Sequence, residues 1–447
     1  MIDTKKKVKQ GVVAFADQVV VSSSTFMTML LVARNSSEFD VGVFALAWTT
    51  ISFLRTVQER IIAAPFLAFT YQPDFQRPTF RGSSIAHQIG FAIVASALVF
   101  LGSFVFWILK GDSRGLLFGL SIAVTLPFHL IRDQMRAISC ADFAYSRLLV
   151  LDVAIVSCQM LGLLVLSWLG IFQLPAANLV LGFACVAPIV FWLVVIRKSY
   201  SFEIGFVKSD WKHNWRYSRW LVVARVLGIA PILIIPWLIA FILSERDAGV
   251  FAVCASLVGV SLMFVTGANN MFLPRTVHEL HHRGMRSMLI SVGEAMTVIF
   301  TVLTCVSIVF WFFGGTLLSI YDDEEMVGIS PVEAYRYKDF GVLAFLLSVS
   351  TLAVSVSTIF GNGLTALRKA RDFFWGEVSC CVVSIVAAVL LIPICGLNGA
   401  AFSQILGGLT ATVVTGLTLF RGVRAYSGHS CLTISTVRSI ADEARGF

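Results

Sequence analysis

The sequence predicts an all-α polytopic membrane protein in which twelve transmembrane helices form two parallel six-helix halves. Composition is the first reason: of the 447 residues, 57% are hydrophobic and 13% are charged, whereas soluble domains hold roughly 45–50% apolar and about 25% charged residues. The second reason is the length of the apolar runs, because a helix needs about 20 mostly apolar residues to cross a bilayer. The third reason is an internal repeat with a spacing of 207 residues.

Twelve runs meet the length requirement, six in each half of the chain. They cover residues 12–33, 41–61, 85–109, 115–131, 148–169, 174–196, 220–243, 248–273, 288–313, 340–361, 374–394 and 399–420.

The repeat is a nine-residue stretch that occurs once in each half. Residues 37–45 and 244–252 are identical at seven of the nine positions, and each copy follows the first apolar run of its half. Corresponding runs therefore cross the membrane in the same direction, which is typical of a parallel repeat. We expect four parts: an N-terminal six-helix lobe (1–196), a cytoplasmic inter-lobe linker (197–219), a C-terminal six-helix lobe (220–420) and a cytoplasmic tail (421–447).

Basic residues gather on one side of the predicted membrane. Lys and Arg of short loops are retained in the cytoplasm, and with the N-terminus inside this rule makes 26 of the 34 basic residues cytoplasmic. The count assigns Arg132 and Arg136 to a cytoplasmic loop and leaves Arg55 and Arg225 within spans. Both termini are therefore expected to be cytoplasmic. This topology and attraction to anionic lipids account for the net charge of +8 without a nucleic-acid partner.

The sequence lacks the motifs of enzymatic and metal chemistry. It has no G-x-x-x-x-G-K-[ST] motif for binding nucleotide phosphates, and its loops are too short to hold the substrates of a membrane transferase. The nine cysteines show no C-x-x-C spacing. Three of the seven histidines lie together in one basic loop and are interpreted as solvated. We therefore expect no catalytic residues, no metal site and no cofactor.

Polar side chains form one stripe in each of the first two spans. The stripes consist of Asp17, Ser24, Thr25 and Thr28 in the first span and Trp48, Ser52, Arg55 and Glu59 in the second. Both sets have the spacing of a single helical face. Because a charge facing lipid would cost about 2.5–3.5 kcal/mol, the stripes are expected to face a wet cavity. Arg55 and Glu59 are also spaced to pair with each other, and the alternative is that both extend to the membrane surface.

The second half of the chain is an internal control for these charges. A shift of 207 residues puts Leu262 opposite Arg55 and Thr266 opposite Glu59. The second copy of the repeat therefore keeps the loop but lacks the charges. The charges in the first half are thus not required by the fold that both halves share.

The seventh and eighth spans contribute further polar groups. Arg225 precedes Pro231 and Pro236 in the seventh span, and prolines within a helix remove backbone donors and kink it. The kink fits either a helix that bends between two conformations or a static bend. Asn270 is a candidate cavity residue in the eighth span.

With these features in view, the chain resembles the polysaccharide flippases of the MATE-like (MOP) transporter superfamily, which also holds the lipid II flippases and the multidrug antiporters. The resemblance rests on the parallel halves, the basic N-terminus, Asp17-Gln18, and residues 38–45 followed by Arg55 and Pro65. It implies that an undecaprenyl-pyrophosphate-linked oligosaccharide is moved from the cytoplasmic to the periplasmic leaflet of the bacterial inner membrane, during surface polysaccharide biosynthesis. Two lobes would alternate access around a central site.

The resemblance also implies roles for the polar residues. Arg55 and Arg225 are expected to bind the pyrophosphate. Four residues are expected to line the path of the glycan, namely Ser24, Thr28, Ser52 and Asn270. Asp17 and Glu59 are the candidate protonation sites for ion coupling. The expected partners are the lipid-linked oligosaccharide, anionic membrane lipids and other polysaccharide-assembly membrane proteins.

Two other functions stay open at this point. A cation-coupled multidrug antiporter would have a net negative cavity, whereas Arg55 and Arg225 favour an anionic substrate. A non-transporting membrane scaffold of a glycan-assembly complex would tolerate neutralisation of the cavity charges.

Overall fold

The structure is a computed structural model that describes residues 4–70, 78–111, 113–142, 144–322, 337–367 and 369–443. Within these ranges helices hold nearly all of the chain. The all-α fold class is confirmed, and the protein is a multi-pass membrane protein.

Fourteen α-helices follow one another along the described chain. Those of the first half are α1 (Thr4–Asn35), α2 (Glu38–Gln58), α3 (Ala64–Phe69), α4 (Pro78–Lys110), α5 (Ser113–Ala141), α6 (Tyr145–Trp168), α7 (Leu174–Phe183) and α8 (Val186–Ile196). Those of the second half are α9 (Ile204–Ile242), α10 (Glu245–Gly259), α11 (Leu262–Arg283), α12 (Met285–Leu318), α13 (Gly341–Ala366) and α14 (Ala370–Glu443).

Each of the twelve predicted spans coincides with one of these helices or with a consecutive pair. Among the described residues, ten helical segments are long and apolar enough to cross a membrane. The number is ten because the span predicted at 248–273 is divided between α10 and α11, and because α14 contains both of the last two spans. α14 changes direction at Gly396, whose φ of +57° favours glycine.

The fourth span is longer than predicted. α5 continues from the expected end at residue 131 to Ala141. Arg132 and Arg136 therefore lie within a helix, and their assignment to a cytoplasmic loop was wrong. The apolar run stops at these arginines because hydropathy counts each charge separately and contains no information about a partner elsewhere in the chain.

The segment from α2 to α3 is a continuous helix with one wide turn. Glu59–Ala63 forms a π-helical turn in which the Ala64 amide donates to the Glu59 carbonyl, five residues back. Pro65 follows this turn. Because a proline ring crowds the carbonyl four residues before it, the wider turn relieves that crowding. Turns of this kind are frequent near functional sites.

The two copies of the repeat start their helices in the same way. The Ser37 side chain caps α2 by accepting from the Asp40 amide at 3.2 Å. The Ser244 side chain caps α10 by accepting from the Asp247 amide at 3.1 Å. A serine at this position satisfies one of the amides that the first helical turn leaves without a partner.

The two copies also pack against each other. A Cβ added at Gly42 of α2 would lie 1.7 Å from the Glu245 carbonyl oxygen, and one added at Gly249 of α10 would lie 2.7 Å from the Gly42 nitrogen. Small residues let helix backbones approach this closely. Arg246 Nη2 also lies 2.7 Å from Glu38 Oε2 across the same contact. The similarity of the two copies therefore has a structural reason, because each copy forms half of one helix–helix contact.

Contacts divide the chain into two compact units. The first unit comprises Met1–Val260 and Leu318–Asp339, and the second comprises Ser261–Leu317 and Phe340–Phe447. The core of the first unit includes Phe66, Phe80, Met135, Ile155 and Trp192, from α3, α4, α5, α6 and α8. The core of the second includes Val265, Phe272, Ile299 and Ile359, from α11, α12 and α13. The division into lobes at 1–196 and 220–420 stays a prediction.

The segment expected as an inter-lobe linker is mostly helical. α9 begins at Ile204 and continues through the seventh predicted span to Ile242, with Pro231 and Pro236 inside it. Its first part packs on the preceding half: the His213 ring contacts Phe69 at a centroid distance of 4.6 Å.

Candidate functional site

The first unit contains a cleft of about 470 Å³, part of which is open to its surroundings. Its walls come from α1, α2, α5, α6 and α7. The residues that line it are Val21, Ser24, Thr25, Thr28, Trp48, Arg55, His129, Arg132, Asp133, Gln159 and Leu181. The predicted polar stripes of the first two spans thus meet at this cleft, together with charged residues of α5.

Arg55 of α2 binds Asp133 of α5 through two parallel hydrogen bonds. Nε donates to Oδ2 at 2.6 Å and Nη2 donates to Oδ1 at 2.7 Å. The fork of the guanidinium matches the two oxygens of a carboxylate. The expected pairing of Arg55 with Glu59 is wrong, since Glu59 instead contacts Arg60 at 3.1 Å with half of its side chain exposed. A partner on another helix replaced the local one because Arg55 faces the cleft and Glu59 does not.

A second ionic network begins with Arg132 at the cleft wall and continues behind it. Arg132 donates twice to Asp152 Oδ1, from Nε at 3.0 Å and from Nη2 at 2.7 Å. Arg136 donates from Nη1 to the other oxygen of Asp152 and from Nη2 to Asp17 Oδ2 at 2.7 Å. Arg136 therefore joins α1, α5 and α6. Asp17 and Asp152 are both buried, and no described group donates to Asp17 Oδ1.

The formal charges of the two networks balance. Three arginines face three aspartates, namely Arg55, Arg132 and Arg136 with Asp17, Asp133 and Asp152. Ions buried in a protein are tolerated when they are paired and hydrogen-bonded, and removal of one partner typically costs 3–5 kcal/mol. Pairing is therefore what allows this number of charges to lie within apolar helices.

Neutral polar groups complete the walls. The Ser24 hydroxyl donates to Gln159 Oε1 at 3.4 Å, and Gln159 Nε2 donates to the Leu181 carbonyl at 2.8 Å. Trp48 stacks on Phe44 with ring centroids 6.2 Å apart. His129 is buried, and its Nε2 has no partner among the described residues. The cleft thus offers hydroxyl, amide, imidazole and indole groups beside the Arg55–Asp133 pair.

The predicted site residues fall into three groups. Ser24, Thr28 and Arg55 line the cleft, and Asp17 lies behind it on Arg136. Ser52 is half-buried, Glu59 is exposed, and Arg225 is exposed on α9; these three are not among the described residues that line the cleft. The side chain of Asn270 lies outside the described part of the chain. The roles assigned to all of them stay predictions.

The sequence analysis missed the contribution of α5 and α6. His129, Arg132, Asp133 and Arg136 have the spacing i, i+3, i+4, i+7, which is one helical face. Asp152 and Gln159 share a face of α6 in the same way. This spacing was available as a signal, but assignment of the arginines to a loop removed the helix on which it depends.

Comparison with solved structures identifies the fold. The chain is similar to the inward-facing conformation of a multidrug resistance MATE family transporter of the MOP superfamily, with a TM-score of 0.74 and 11% identity over 94% of this chain and 96% of that one. A MOP superfamily transporter from Pyrococcus furiosus, described as having a binding pocket of reverse polarity and a suggested different function, gives a TM-score of 0.69 with 10% identity over 94% and 95%. The outward-facing conformation of a MATE family transporter gives 0.64 with 12% identity over 94% and 96%.

No protein-family model and no curated protein sequence matches the chain. At identities of 10–12% the structural similarity concerns the fold. The predicted MATE-like architecture of twelve transmembrane helices is confirmed, and the chain has the fold of the MATE transporters of the MOP superfamily.

Proposed function

We propose that the protein is a secondary transporter that moves an undecaprenyl-pyrophosphate-linked oligosaccharide from the cytoplasmic to the periplasmic leaflet of the bacterial inner membrane. The observation that carries the proposal is the guanidinium of Arg55, which lines a cleft between apolar helices together with hydroxyl, amide and indole groups. Both termini would be cytoplasmic. Anionic lipids and other polysaccharide-assembly membrane proteins would be its partners.

The pyrophosphate is the part of this substrate that most needs a partner within the membrane. Arg55 keeps 37% of its side chain exposed, and a guanidinium binds phosphate oxygens in the same two-pronged geometry as a carboxylate. Arg132 also lines the cleft. These two arginines are the candidate headgroup ligands, and Arg225 stays a predicted ligand on α9.

The glycan needs both hydrogen-bond donors and hydrogen-bond acceptors along its path. Ser24, Thr25 and Thr28 offer hydroxyls, and Gln159 adds an amide. Trp48 offers an apolar face beside them. An oligosaccharide matches this mixture, because each sugar has hydroxyls at its edge and C–H groups on its faces.

Transport would proceed by alternating access, the mechanism typical of transporters built from two repeats. Since the chain lacks a nucleotide-binding motif, an ion gradient, the membrane potential or the substrate gradient would drive the cycle. Asp17 is better placed to carry a coupling proton than Glu59. Asp17 binds Arg136 on the helix that also carries Asp133, so a change in its charge would reach the cleft wall.

A cation-coupled drug antiporter is the second candidate function, and the pairing of Arg55 with Asp133 is the observation that keeps it open. The cleft was expected to be cationic, yet Arg55 is paired with Asp133 and Arg225 lies outside the lining. A lipophilic cation that binds Asp133 beside Trp48 would fit such a cleft. In a non-transporting scaffold the ionic cluster would serve only to hold α1, α5 and α6 together.

The test is movement of a fluorescent undecaprenyl-pyrophosphate oligosaccharide across vesicles that contain the purified protein. Arg55→Ala should slow movement at least tenfold, because the headgroup loses its ligand. The double variant Arg55→Ala, Asp133→Asn should be equally slow although it leaves no unpaired charge. Arg81→Ala is the matched control, since Arg81 forms an equivalent two-pronged pair with Asp142 outside the cleft.

The outcomes separate the candidate functions. Movement that depends on Arg55 and not on Arg81 supports the flippase. Uptake of a lipophilic cation without movement of the oligosaccharide would support the antiporter and contradict the flippase. Neither activity in folded protein at normal levels would favour the scaffold.

A further inference from the structure

The Arg55–Asp133 pair differs from the other ion pairs of the cluster in its position. Arg55 and Asp133 both line the cleft, with 37% and 17% of their side chains exposed. Asp152, which holds Arg132 and Arg136, is fully buried. Both members of this pair are thus open to a ligand, whereas in the second network only Arg132 reaches the cleft.

We propose that Asp133 is a built-in competitor of the substrate: its carboxylate occupies the phosphate-binding edge of Arg55 in the substrate-free protein, and an incoming phosphate displaces it. This inference rests on the proposed function and adds a specificity-determining residue to it. Asp133 is a positioning residue, since it acts on the substrate through Arg55.

Geometry supports displacement by phosphate in particular. Both oxygens of Asp133 are bound to the Nε and Nη2 edge of Arg55, which is the edge that phosphate oxygens also bind in pairs. A carboxylate has one negative charge to offer, whereas a pyrophosphate offers more than one. A neutral glycan or a monocarboxylate would gain no binding free energy by displacing Asp133. The ion pair would therefore select for the pyrophosphate headgroup.

The charge of the carboxylate released in this exchange would still be stabilised. Asp133 lines the cleft and keeps 17% of its side chain exposed, so water in the cleft can hydrate the carboxylate. Arg132 and Arg136 stay bound to Asp152 and Asp17, so the second network is unchanged when Arg55 turns to the ligand. When the substrate leaves, Asp133 would pair with Arg55 again, so the exchange would be reversible.

The test is calorimetric binding of a short-chain prenyl pyrophosphate to the full-length protein in detergent. Asp133→Asn keeps the shape of the side chain and removes the competing charge, so binding should tighten about tenfold, which is about 1.4 kcal/mol. Asp133→Glu keeps the charge and should bind like the wild type. Asp142→Asn is the matched control, because it opens the Arg81 pair outside the cleft.

Tighter binding by Asp133→Asn, together with unchanged binding by Asp142→Asn, supports the inference. If Asp133→Asn does not fold, Asp133→Ser replaces it with the same expectation. Binding that depends on Arg55 but does not tighten when Asp133 is neutral overturns the inference and leaves the proposed function standing. No binding, or binding that Arg55→Ala leaves unchanged, overturns both.

Discussion

The contact between the two repeat copies gives the sharpest prediction, which concerns Gly42→Ala. The new methyl carbon would lie 1.7 Å from the Glu245 carbonyl oxygen, 2.6 Å from its carbon and 3.3 Å from the Gly249 nitrogen. An ordinary contact begins at 3.4 Å, so α2 and α10 must separate by roughly 1.7 Å. All three atoms belong to helix backbone, so no change of rotamer relieves the clash. Overpacking costs typically 1–3 kcal/mol, occasionally more, and we expect about 3 kcal/mol or more.

The matched control is Gly102→Ala in α4. A Cβ at Gly102 meets no atom within 4 Å, and replacement of glycine within a helix gains roughly 0.5–1 kcal/mol. The two alanine variants should therefore shift the free energy of unfolding in opposite directions. Unfolding in mixed detergent micelles, followed by circular dichroism, measures both. Equal stability of Gly42→Ala and Gly102→Ala would refute the close backbone contact of α2 and α10.

Three further predictions use the same unfolding measurement. Asp152→Asn should lower the free energy of unfolding by about 3–5 kcal/mol, because it leaves Arg132 and Arg136 without their shared buried anion; a loss below about 1 kcal/mol, as expected for Asp142→Asn at a more exposed ion pair, would contradict a buried network. Gly396→Ala should cost about 1–2 kcal/mol, because alanine resists the positive φ at this break in α14; an unchanged stability would mean that the break is not held in the native state. Ser244→Ala should cost about 0.5–2 kcal/mol through loss of the α10 cap, and no loss would show that water replaces the hydroxyl there.

The sequence alone was sufficient for the positions of the helices and insufficient for the ionic cluster. Apolar runs of about 20 residues are a sufficient signal for a spanning helix, so α1, α4 and α12 were placed well. The end of α5 was placed too early, because a paired charge and a solvated charge look the same in a hydropathy profile.

The partners in the cluster are also far apart along the chain. Arg136 meets Asp17 over a separation of 119 residues, and Arg55 meets Asp133 over 78. Local spacing predicts contacts within one helix, which is why Glu59 was assigned to Arg55. Tertiary packing decides which helices become neighbours. Local residue spacing in a single sequence does not predict those neighbours.

The repeat and the cluster obey different constraints, which explains why one is duplicated and the other is not. Gly42 contacts Gly249, so an enlargement of either glycine disrupts a surface that the other copy shares. Arg55 contacts Asp133, within the same half, and the equivalent position in the second half, Leu262, is exempt from that pairing. The symmetric contact therefore preserves both copies of the motif, while the charges diverge without harm to the scaffold. We accordingly expect headgroup binding to respond to charge changes at Arg55 and Asp133 and to be insensitive to conservative changes at Leu262.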